Sequence, residues 1–302
     1  MKFIVMRLKK YNDFLLERKN RPIMRYYAFD IDDNLLIMPT VIHMEHLVNG
    51  EWVLEDVSTE KFAKVRTDKE NWRPLTDLSK LGNFEKSPNF QEGQEAYLEF
   101  RDYGPRGQNA FLDDMKKAIE TKAFGPSWDD FIKCLMNGSI FAIITARGHE
   151  PDTIRAGVQY IIDNVMTQEQ RDEMAANLTA FQDLFVQNFD IMREISFGTL
   201  LSAYLDKCDF VGVSSPTFAE KYGGSVLSPE EGKKAALNEF MDRIDTYGKK
   251  VGAQVRLGFS DDDVRTVNRV KEYFGEMSDV YKDIIFSVYD TSNPEETIKN
   301  VI

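Results

Sequence analysis

The stretch Arg25-Tyr-Tyr-Ala-Phe-Asp-Ile-Asp-Asp-Asn-Leu-Leu36 is an apolar run that passes directly into aspartates. Its first part predicts a buried strand at about residues 26–31, with Asp30 and Asp32 at the end of that strand. Because side chains two residues apart in a strand point to the same side, both carboxylates are expected in one place. Open α/β folds put their chemistry at the carboxyl edge of the sheet, so a reaction is expected there.

Two carboxylates at such an edge can divide the work of a displacement reaction. One can attack an electrophile while its protonated neighbour donates a proton to the leaving group. Two anions roughly 4 Å apart repel by about 4 kcal/mol at an effective dielectric constant of about 20, so a divalent cation is the expected counter-charge. The alternative interpretation of Asp-x-Asp is an acidic turn at a strand end with no catalytic role.

Two later segments are also strands that end in polar residues. Ser139-Ile-Phe-Ala-Ile-Ile-Thr-Ala-Arg147 predicts a buried strand ending at Thr145, whose hydroxyl can hydrogen-bond a phosphoryl oxygen. Val255-Arg-Leu-Gly-Phe-Ser-Asp-Asp-Asp263 predicts a strand that runs into an acidic cluster. Mg²⁺ prefers one or two carboxylates together with substrate phosphate and water, so these strand ends favour Mg²⁺ as the cation.

A helix is predicted to begin at Ser228. Ser228 and Glu231 have the spacing of a capping box, and Pro229 occupies the first helical position. Lys233 and Lys234 then lie early in the helix, where the helix dipole disfavours a cation. An anion held near this helix end would explain one of the two lysines, and the sequence leaves open which one.

With these elements in this order, the chain resembles the haloacid dehalogenase-like (HAD) superfamily of phosphohydrolases. Asp30-Ile-Asp32 is similar to the first motif of the family, Thr145 to the second, Lys233 to the third and Asp261-Asp262 to the fourth. The resemblance implies a Mg²⁺-dependent phosphatase with a cap inserted after the first strand.

The resemblance also implies roles for the aspartates. Asp30 would be the nucleophile that forms an aspartyl-phosphate, and Asp32 would act as general acid and then as general base. The Mg²⁺ would be held by Asp30, by the backbone carbonyl of Asp32, and by Asp261 or Asp262.

The phosphoryl group would be bound by residues of the second and third motifs. Thr145 and Lys233 would orient it and neutralise its charge. Ala146 and Arg147 follow Thr145 and are further candidates for substrate binding, since the planar fork of arginine suits a phosphate as well as a local carboxylate.

The chain departs from the family pattern in two places. Asn34 stands where the family usually has Thr or Val, and an asparagine there can still cap the turn by hydrogen bonding. The fourth motif is Ser260-Asp261-Asp262-Asp263 rather than the commoner Gly-Asp pair. The carboxylate that meets the metal is therefore left open among the three aspartates, and Asp263 can instead cap the next helix.

Composition points to an intracellular enzyme. The chain has 302 residues, of which 42% are apolar and 29% are charged, enough for one large core and a smaller appended domain. The two cysteines, Cys134 and Cys208, lie in apolar or helical stretches, which favours a reducing compartment. The opening apolar run is too short for a signal peptide and no stretch reaches 18 apolar residues, so we expect a cytoplasmic protein without a membrane partner.

Charge is unevenly distributed along the chain. Residues 1–25 carry eight basic and two acidic side chains, a net charge of +6, and the whole chain carries −12, which leaves −18 on the remainder. A basic arm can contact nucleic acid, but it can equally be a solvated helix face or lie across its own acidic body. The acidic body disfavours a long polynucleotide, so a nucleic acid partner is possible but not favoured and a small phosphorylated substrate is expected.

A hairpin is predicted after the first strand. Residues 40–48 and 51–57 flank Asn49-Gly50, a strong signal for a type I′ turn. His43 and His46 face opposite sides of such a strand, so we expect them on the hairpin surface rather than at a shared metal.

The fold class predicted from the whole pattern is α/β, a doubly wound parallel (Rossmann-like) sheet with an inserted cap or flap that contains the hairpin. Five parallel strands and a terminal helix after Ser292 are expected. The predicted organisation is a basic arm at 1–24, a HAD-like core at 25–36 and 111–302, a flap at 37–110, and a possible second small helical insertion at 165–206.

The function predicted from these patterns is Mg²⁺-dependent hydrolysis of a phosphate monoester through an aspartyl-phosphate. One alternative is a phosphatase that acts on nucleotides or polynucleotide ends. The other is a catalytically idle HAD-like domain that serves binding or assembly. The sequence leaves the substrate and the oligomeric state undetermined.

Overall fold

A computed structural model describes residues 22–82, 86–88, 90, 92–107, 109–180, 195–224, 227–293 and 296–302. Almost all of the predicted basic arm therefore lies outside the described residues. The strands are β1 Ile23–Phe29, β2 Ile42–Val48, β3 Glu51–Val57, β4 Trp72–Pro74, β5 Phe141–Thr145, β6 Asp209–Gly212, β7 Gln254–Asp261, β8 Ile284–Asp290 and β9 Ile298–Val301.

The α-helices are α1 Thr59–Val65, α2 Ala110–Glu120, α3 Trp128–Met136, α4 Pro151–Tyr160, α5 Gln168–Ala180, α6 Phe197–Leu205, α7 Pro216–Lys221, α8 Pro229–Val251 and α9 Val264–Ser278. Two short 3₁₀ helices cover Leu78–Leu81 and Glu95–Phe100, and α4 continues into a π-helical turn at Ile161–Val165. No helix in the described ranges is long and apolar enough to cross a membrane.

The main sheet has the strand order β6-β5-β1-β7-β8-β9, and its first five strands are parallel. Every residue of β5 is buried, as expected for an inner strand with both faces covered. The predicted α/β fold with a mostly parallel sheet is confirmed. The helix predicted after Ser292 is wrong, because residues 298–301 form β9 and pair antiparallel with the otherwise open edge of β8.

The predicted hairpin is confirmed as β2 and β3. Val48 pairs with Glu51, and Asn49 and Gly50 between them have φ values of 53° and 87°, the positive values that a type I′ turn requires. Strand β4 joins β2 on its other side and completes a small antiparallel sheet. We call residues 37–110 the flap, as in the sequence prediction.

The flap has a small apolar core of its own, and the helices after β5 do not. The flap cluster consists of Ile42, Met44, Val57, Leu75, Ala96 and Phe100. In contrast, Met174 of α5 and Leu200 of α6 belong to the same apolar cluster as the main sheet. These two helices are therefore packed on the core, while residues 181–194 of the predicted second insertion lie outside the described residues.

A chain of buried polar contacts joins the flap to the core. The Thr40 hydroxyl donates to Asp114 Oδ2 at 2.6 Å, and Asp114 accepts two further bonds at 2.7 Å from the guanidinium of Arg106. Arg106 also pairs with Glu99, which is 6% exposed. Since each of these carboxylates has a cationic partner, charged hydrogen bonds tie the flap to α2.

His43 extends this chain of contacts and was predicted wrongly to lie on the hairpin surface. It is 5% exposed, with Nδ1 at 2.7 Å from Asp56 Oδ1 and Nε2 at 3.7 Å from Glu99 Oε1. Burial alone would lower the pKa of His43, but the Glu99 and Asp56 carboxylates outweigh burial and raise it. Alternation along the strand showed that His43 and His46 face opposite sides, but it could not show which side the flap core covers.

Candidate active site

The register of β1 and β7 brings two of the predicted aspartates together. Phe29 pairs with Ser260, and the backbone N–H of Asp30 donates to the Ser260 carbonyl at 3.1 Å. Asp30 and Asp261 therefore leave adjacent parallel strands at the same carboxyl edge. Both are buried, at 6% and 0% exposure.

Helix α8 carries the lysine of the site. Its capping box is present as predicted, with the Ser228 side chain accepting from the Glu231 N–H and the Glu231 side chain accepting from the Ser228 N–H. A Cβ at Gly232 would lie 2.7 Å from Val213 Cβ, so only glycine lets the helix start lie this close to the end of β6. The next residue, Lys233, is 4% exposed and enters the site. Lys234 is exposed and lies over the Tyr273 ring at 4.4 Å.

Lys233 makes ionic contacts with both aspartates. Its Nζ donates to Asp261 Oδ2 at 2.7 Å and lies 3.2 Å from Asp30 Oδ1 without hydrogen-bond geometry. Burial would lower the pKa of Lys233, but the Asp261 and Asp30 carboxylates outweigh burial and raise it. The lysine is therefore a permanent cation held between two buried anions.

Asp30, Asp261 and Asp262 form a group that could hold a metal ion, with one carboxylate oxygen from each within 4.8 Å of the others. Burial, followed by repulsion from Asp30 and Asp261, raises the pKa of Asp262 to about 9. Burial also raises the pKa of Asp30 to about 7, although Lys233 opposes it. Three hard oxygen donors with one lysine as counter-charge could hold a metal cation.

The three consecutive aspartates 261–263 have different partners. Asp261 uses both of its oxygens, one for Lys233 and one for the N–H of Asp263 at 2.9 Å. Asp263 caps α9 by accepting from the Arg265 N–H and also contacts Arg66 of the flap at 3.4 Å, so its predicted capping role is confirmed. Asp262 has no hydrogen bond from another described residue and lines a cavity of about 830 Å³.

Asp32 lies beside this group, but its carboxylate has a different partner. Arg147 donates from Nε to Asp32 Oδ2 at 2.8 Å and from Nη2 to Asp32 Oδ1 at 2.6 Å. The carboxylate of Asp32 does not belong to the group of three that could hold a metal within the described part of the chain. Its predicted metal contact through the backbone carbonyl stays a prediction.

The predicted phosphate-binding residues after β5 have different surroundings. Thr145 is completely buried, and its hydroxyl accepts from the Arg147 N–H at 3.3 Å. Ala146 is exposed and lines the cavity over Asp30, as do Arg147 and Lys233. Among the described residues, Thr145 is not part of that cavity lining, so its predicted contact with substrate stays a prediction.

The buried side chain of Asn34 forms hydrogen bonds that connect several segments of the site. Its Nδ2 donates to the Asp30 carbonyl and to Ser260 Oγ, each at 3.0 Å. Its Oδ1 accepts from the hydroxyls of Ser127 and Thr291, each at 2.8 Å. The side chain is 0% exposed and joins the loop after β1 to three other segments. The sequence showed an asparagine that could cap a turn, but these distant partners could not be read from it.

A cavity of about 500 Å³ is lined by Asp30, Asp32 and Lys233 and by residues of the flap. The flap residues in its lining are Ile42, Thr59, Phe62, Arg66, Gln94, Tyr97, Phe100 and Arg101. None of these was predicted as a site residue, because their positions depend on how the flap packs. A smaller cavity of about 210 Å³ beside α3 contains none of the predicted site residues among its described lining.

No family model, no curated protein and no solved structure matches the chain.

We expect replacement of Asn34 by Ala to lower the free energy of unfolding by about 2–4 kcal/mol, because it leaves several buried polar groups without partners. Denaturant titration would measure the change. Asn71→Ala is the matched control, since Asn71 is exposed and bonds only to nearby Asp68 through its side chain. A loss for Asn34→Ala as small as that of the control would contradict the central role of Asn34.

We expect Mg²⁺ to raise the Tm of the wild type, since a ligand at about 100 times its Kd stabilises the folded state by about 2.7 kcal/mol. Asp262→Asn should greatly reduce this shift at the same Mg²⁺ concentration. At neutral pH the raised pKa of Asp262 means that folding without metal must protonate this carboxyl group, which lowers stability, so the metal-free variant should melt no lower than the wild type. The exposed Asp129→Asn is the control, and equal Mg²⁺ shifts in all three proteins would contradict a role for Asp262.

Proposed function

We propose that the chain is a Mg²⁺-dependent phosphatase of the HAD-like type that hydrolyses a phosphate monoester through an aspartyl-phosphate on Asp30. The observation that carries the proposal is the buried contact of Lys233 with Asp30 and Asp261, next to Asp262 and beneath the flap cavity. A substrate phosphate in this cavity would meet a nucleophile, a fixed cation and oxygen ligands for a metal.

Asp30 is suited to attack phosphorus. It lines the cavity, and the Lys233 ammonium, 3.2 Å from its Oδ1, places a fixed cation beside the carboxylate. Since burial raises the pKa of Asp30 to about 7, a further positive charge is needed to keep it ionised. When bound, Mg²⁺ would offset the charges of the carboxylates and of the phosphoryl oxygens, so that the anions can approach each other.

Lys233 neutralises charge in the proposed reaction, and Asp32 transfers the protons. Lys233 offsets charge on the phosphoryl group from a position that the start of α8 fixes. The Asp30–phosphorus bond forms as the ester bond breaks, and Asp32 gives a proton to the leaving oxygen. Asp32 then takes a proton from the water that attacks phosphorus, and this second displacement releases phosphate and Asp30.

Support for the family assignment comes from the meeting of its motif segments at one sheet edge beneath the flap. The ends of β1, β5 and β7 and the start of α8 contribute these segments, in the order that the family resemblance implies. The two free, buried cysteines fit the reducing cytoplasm that belongs to this proposal.

A nucleotide is the second candidate substrate, and the cavity lining favours it. The rings of Phe62 and Tyr97 lie edge to face at 5.9 Å within the flap wall, and Arg66 and Arg101 line the same cavity. Aromatic rings and arginine planes are the groups on which bases stack, and about 500 Å³ is within the usual range for a small-ligand site. A polynucleotide end is less favoured because of the acidic body.

We expect Asp30→Asn to reduce phosphate release from an aryl phosphate by on the order of 10³-fold or more, because the nucleophile is lost. The variant should melt no lower than the wild type, since it removes a carboxylate whose pKa burial raises. Phosphate release with Mg²⁺ and with chelator would be measured for the wild type, Asp30→Asn and the exposed control Asp129→Asn. A folded, Mg²⁺-supplied wild type that releases no phosphate would contradict the proposal and favour the idle binding module.

For a nucleotide substrate, we expect Phe62→Leu to raise KM for a nucleoside monophosphate by roughly 10-fold, because one stacking surface is worth about 1–3 kcal/mol. KM for glycerol phosphate should stay within about 2-fold, since that ester has no ring to stack. Steady-state kinetics on both esters would measure this. Equal changes for the two esters would argue against the nucleotide.

A further inference from the structure

The guanidinium of Arg147 is committed to Asp32 rather than open to solvent. Its side chain is 0% exposed, and two parallel hydrogen bonds of 2.8 and 2.6 Å join it to both oxygens of the Asp32 carboxylate. A bidentate pair of this kind fixes the plane of the carboxylate as well as its distance. Asp32 itself is 17% exposed at the side chain and lines the cavity.

Arg147 is held in turn by residues of the flap and by Phe111 of α2. Its Nη2 donates to the Thr40 hydroxyl at 2.8 Å, and that hydroxyl donates onward to Asp114. Its guanidinium carbon lies 4.4 Å from the centre of the Phe100 ring and 5.6 Å from that of Phe111. These contacts fix the arginine from several directions before any substrate is present.

Three of the five N–H groups of Arg147 are used by protein partners, and Nη1 is buried without one. A side chain that captured phosphate from solution would need most of these donors free. Lysine has no planar fork and could not hold both oxygens of Asp32, so the pattern is specific to arginine.

We propose that Arg147 is a positioning residue that aims the Asp32 carboxyl group at the leaving oxygen, and that Thr40 and the flap residue Phe100 hold Arg147 in place. The inference rests on the proposed phosphatase function. The step it serves is balanced: the bond from Asp30 to phosphorus forms, the ester bond breaks, and the proton of Asp32 moves to the departing oxygen. Asp32 later recovers a proton from water.

Two esters test the proposal, because they differ in their need for that proton. Nitrophenyl phosphate has a leaving group that departs as a stable anion, whereas glycerol phosphate has an alkoxide that needs protonation. General acids contribute about 10²–10⁴-fold. We therefore expect Arg147→Lys to lower kcat/KM for glycerol phosphate by about 100-fold and for nitrophenyl phosphate by less than about 5-fold.

Matched variants separate positioning from folding. Arg243→Lys is the control, because Arg243 also makes two bonds, of 2.6 and 2.7 Å, to an aspartate, Asp209, at the far edge of the sheet. It should leave both rates unchanged. Should Arg147→Lys fail to fold, Thr40→Val removes the support of Arg147 while Asp114 keeps its bonds to Arg106. Thr40→Val should lower the glycerol phosphate rate selectively, and Thr40→Ser should restore it.

Each other outcome has a defined meaning. If kcat/KM falls equally for the two esters in Arg147→Lys or Thr40→Val, Arg147 binds the phosphoryl group directly and the positioning proposal is overturned. It is also overturned if neither rate changes. A wild type without Asp30-dependent activity on either ester overturns the phosphatase proposal itself, so the two failures are distinguishable.

Discussion

The contact of the Lys233 ammonium with the carboxylates of Asp30 and Asp261 is the constraint on which the site depends. A buried lysine is costly unless anions surround it, and buried carboxylates are equally costly without a cation. Lys233 therefore requires a carboxylate beside it, and Asp261, at 2.7 Å, is the nearer of the two. Their meeting requires the parallel register of β1 with β7 and the close approach of α8 that Gly232 permits. The position of the site is thus linked to the topology of the sheet through this contact.

The negative charge of Asp30, Asp261 and Asp262 is not balanced by the single positive charge of Lys233. Lys233 offsets one of the three carboxylates, and burial holds the pKa of Asp30 and Asp262 well above the ordinary range. The excess negative charge of such a site can be offset by a divalent cation. Asp30 and Asp261 are also buried, at 6% and 0% exposure, and charge interactions among buried groups are stronger than at an open surface.

Sequence patterns located the strand ends, the capping box and the hairpin turn well, because each depends on residues close in the chain. They failed where the decisive partner is distant. His43 was expected at the surface and is buried among carboxylates of the flap, and the segment after Ser292 forms a strand because β8 offers it an open edge. Asn34 joins four segments that no local pattern connects.

The sequence by itself determined which residues stand at strand ends and at the helix start, since alternation, capping and turn chemistry are local properties. The tertiary structure alone decided their partners. In the tertiary structure Lys233 rather than Lys234 contacts Asp261, Asp263 caps α9, and Arg147 binds Asp32. The reason is physical: pairing among buried charges depends on strand register and on the packing of the flap, and both arise from contacts between residues far apart in the chain.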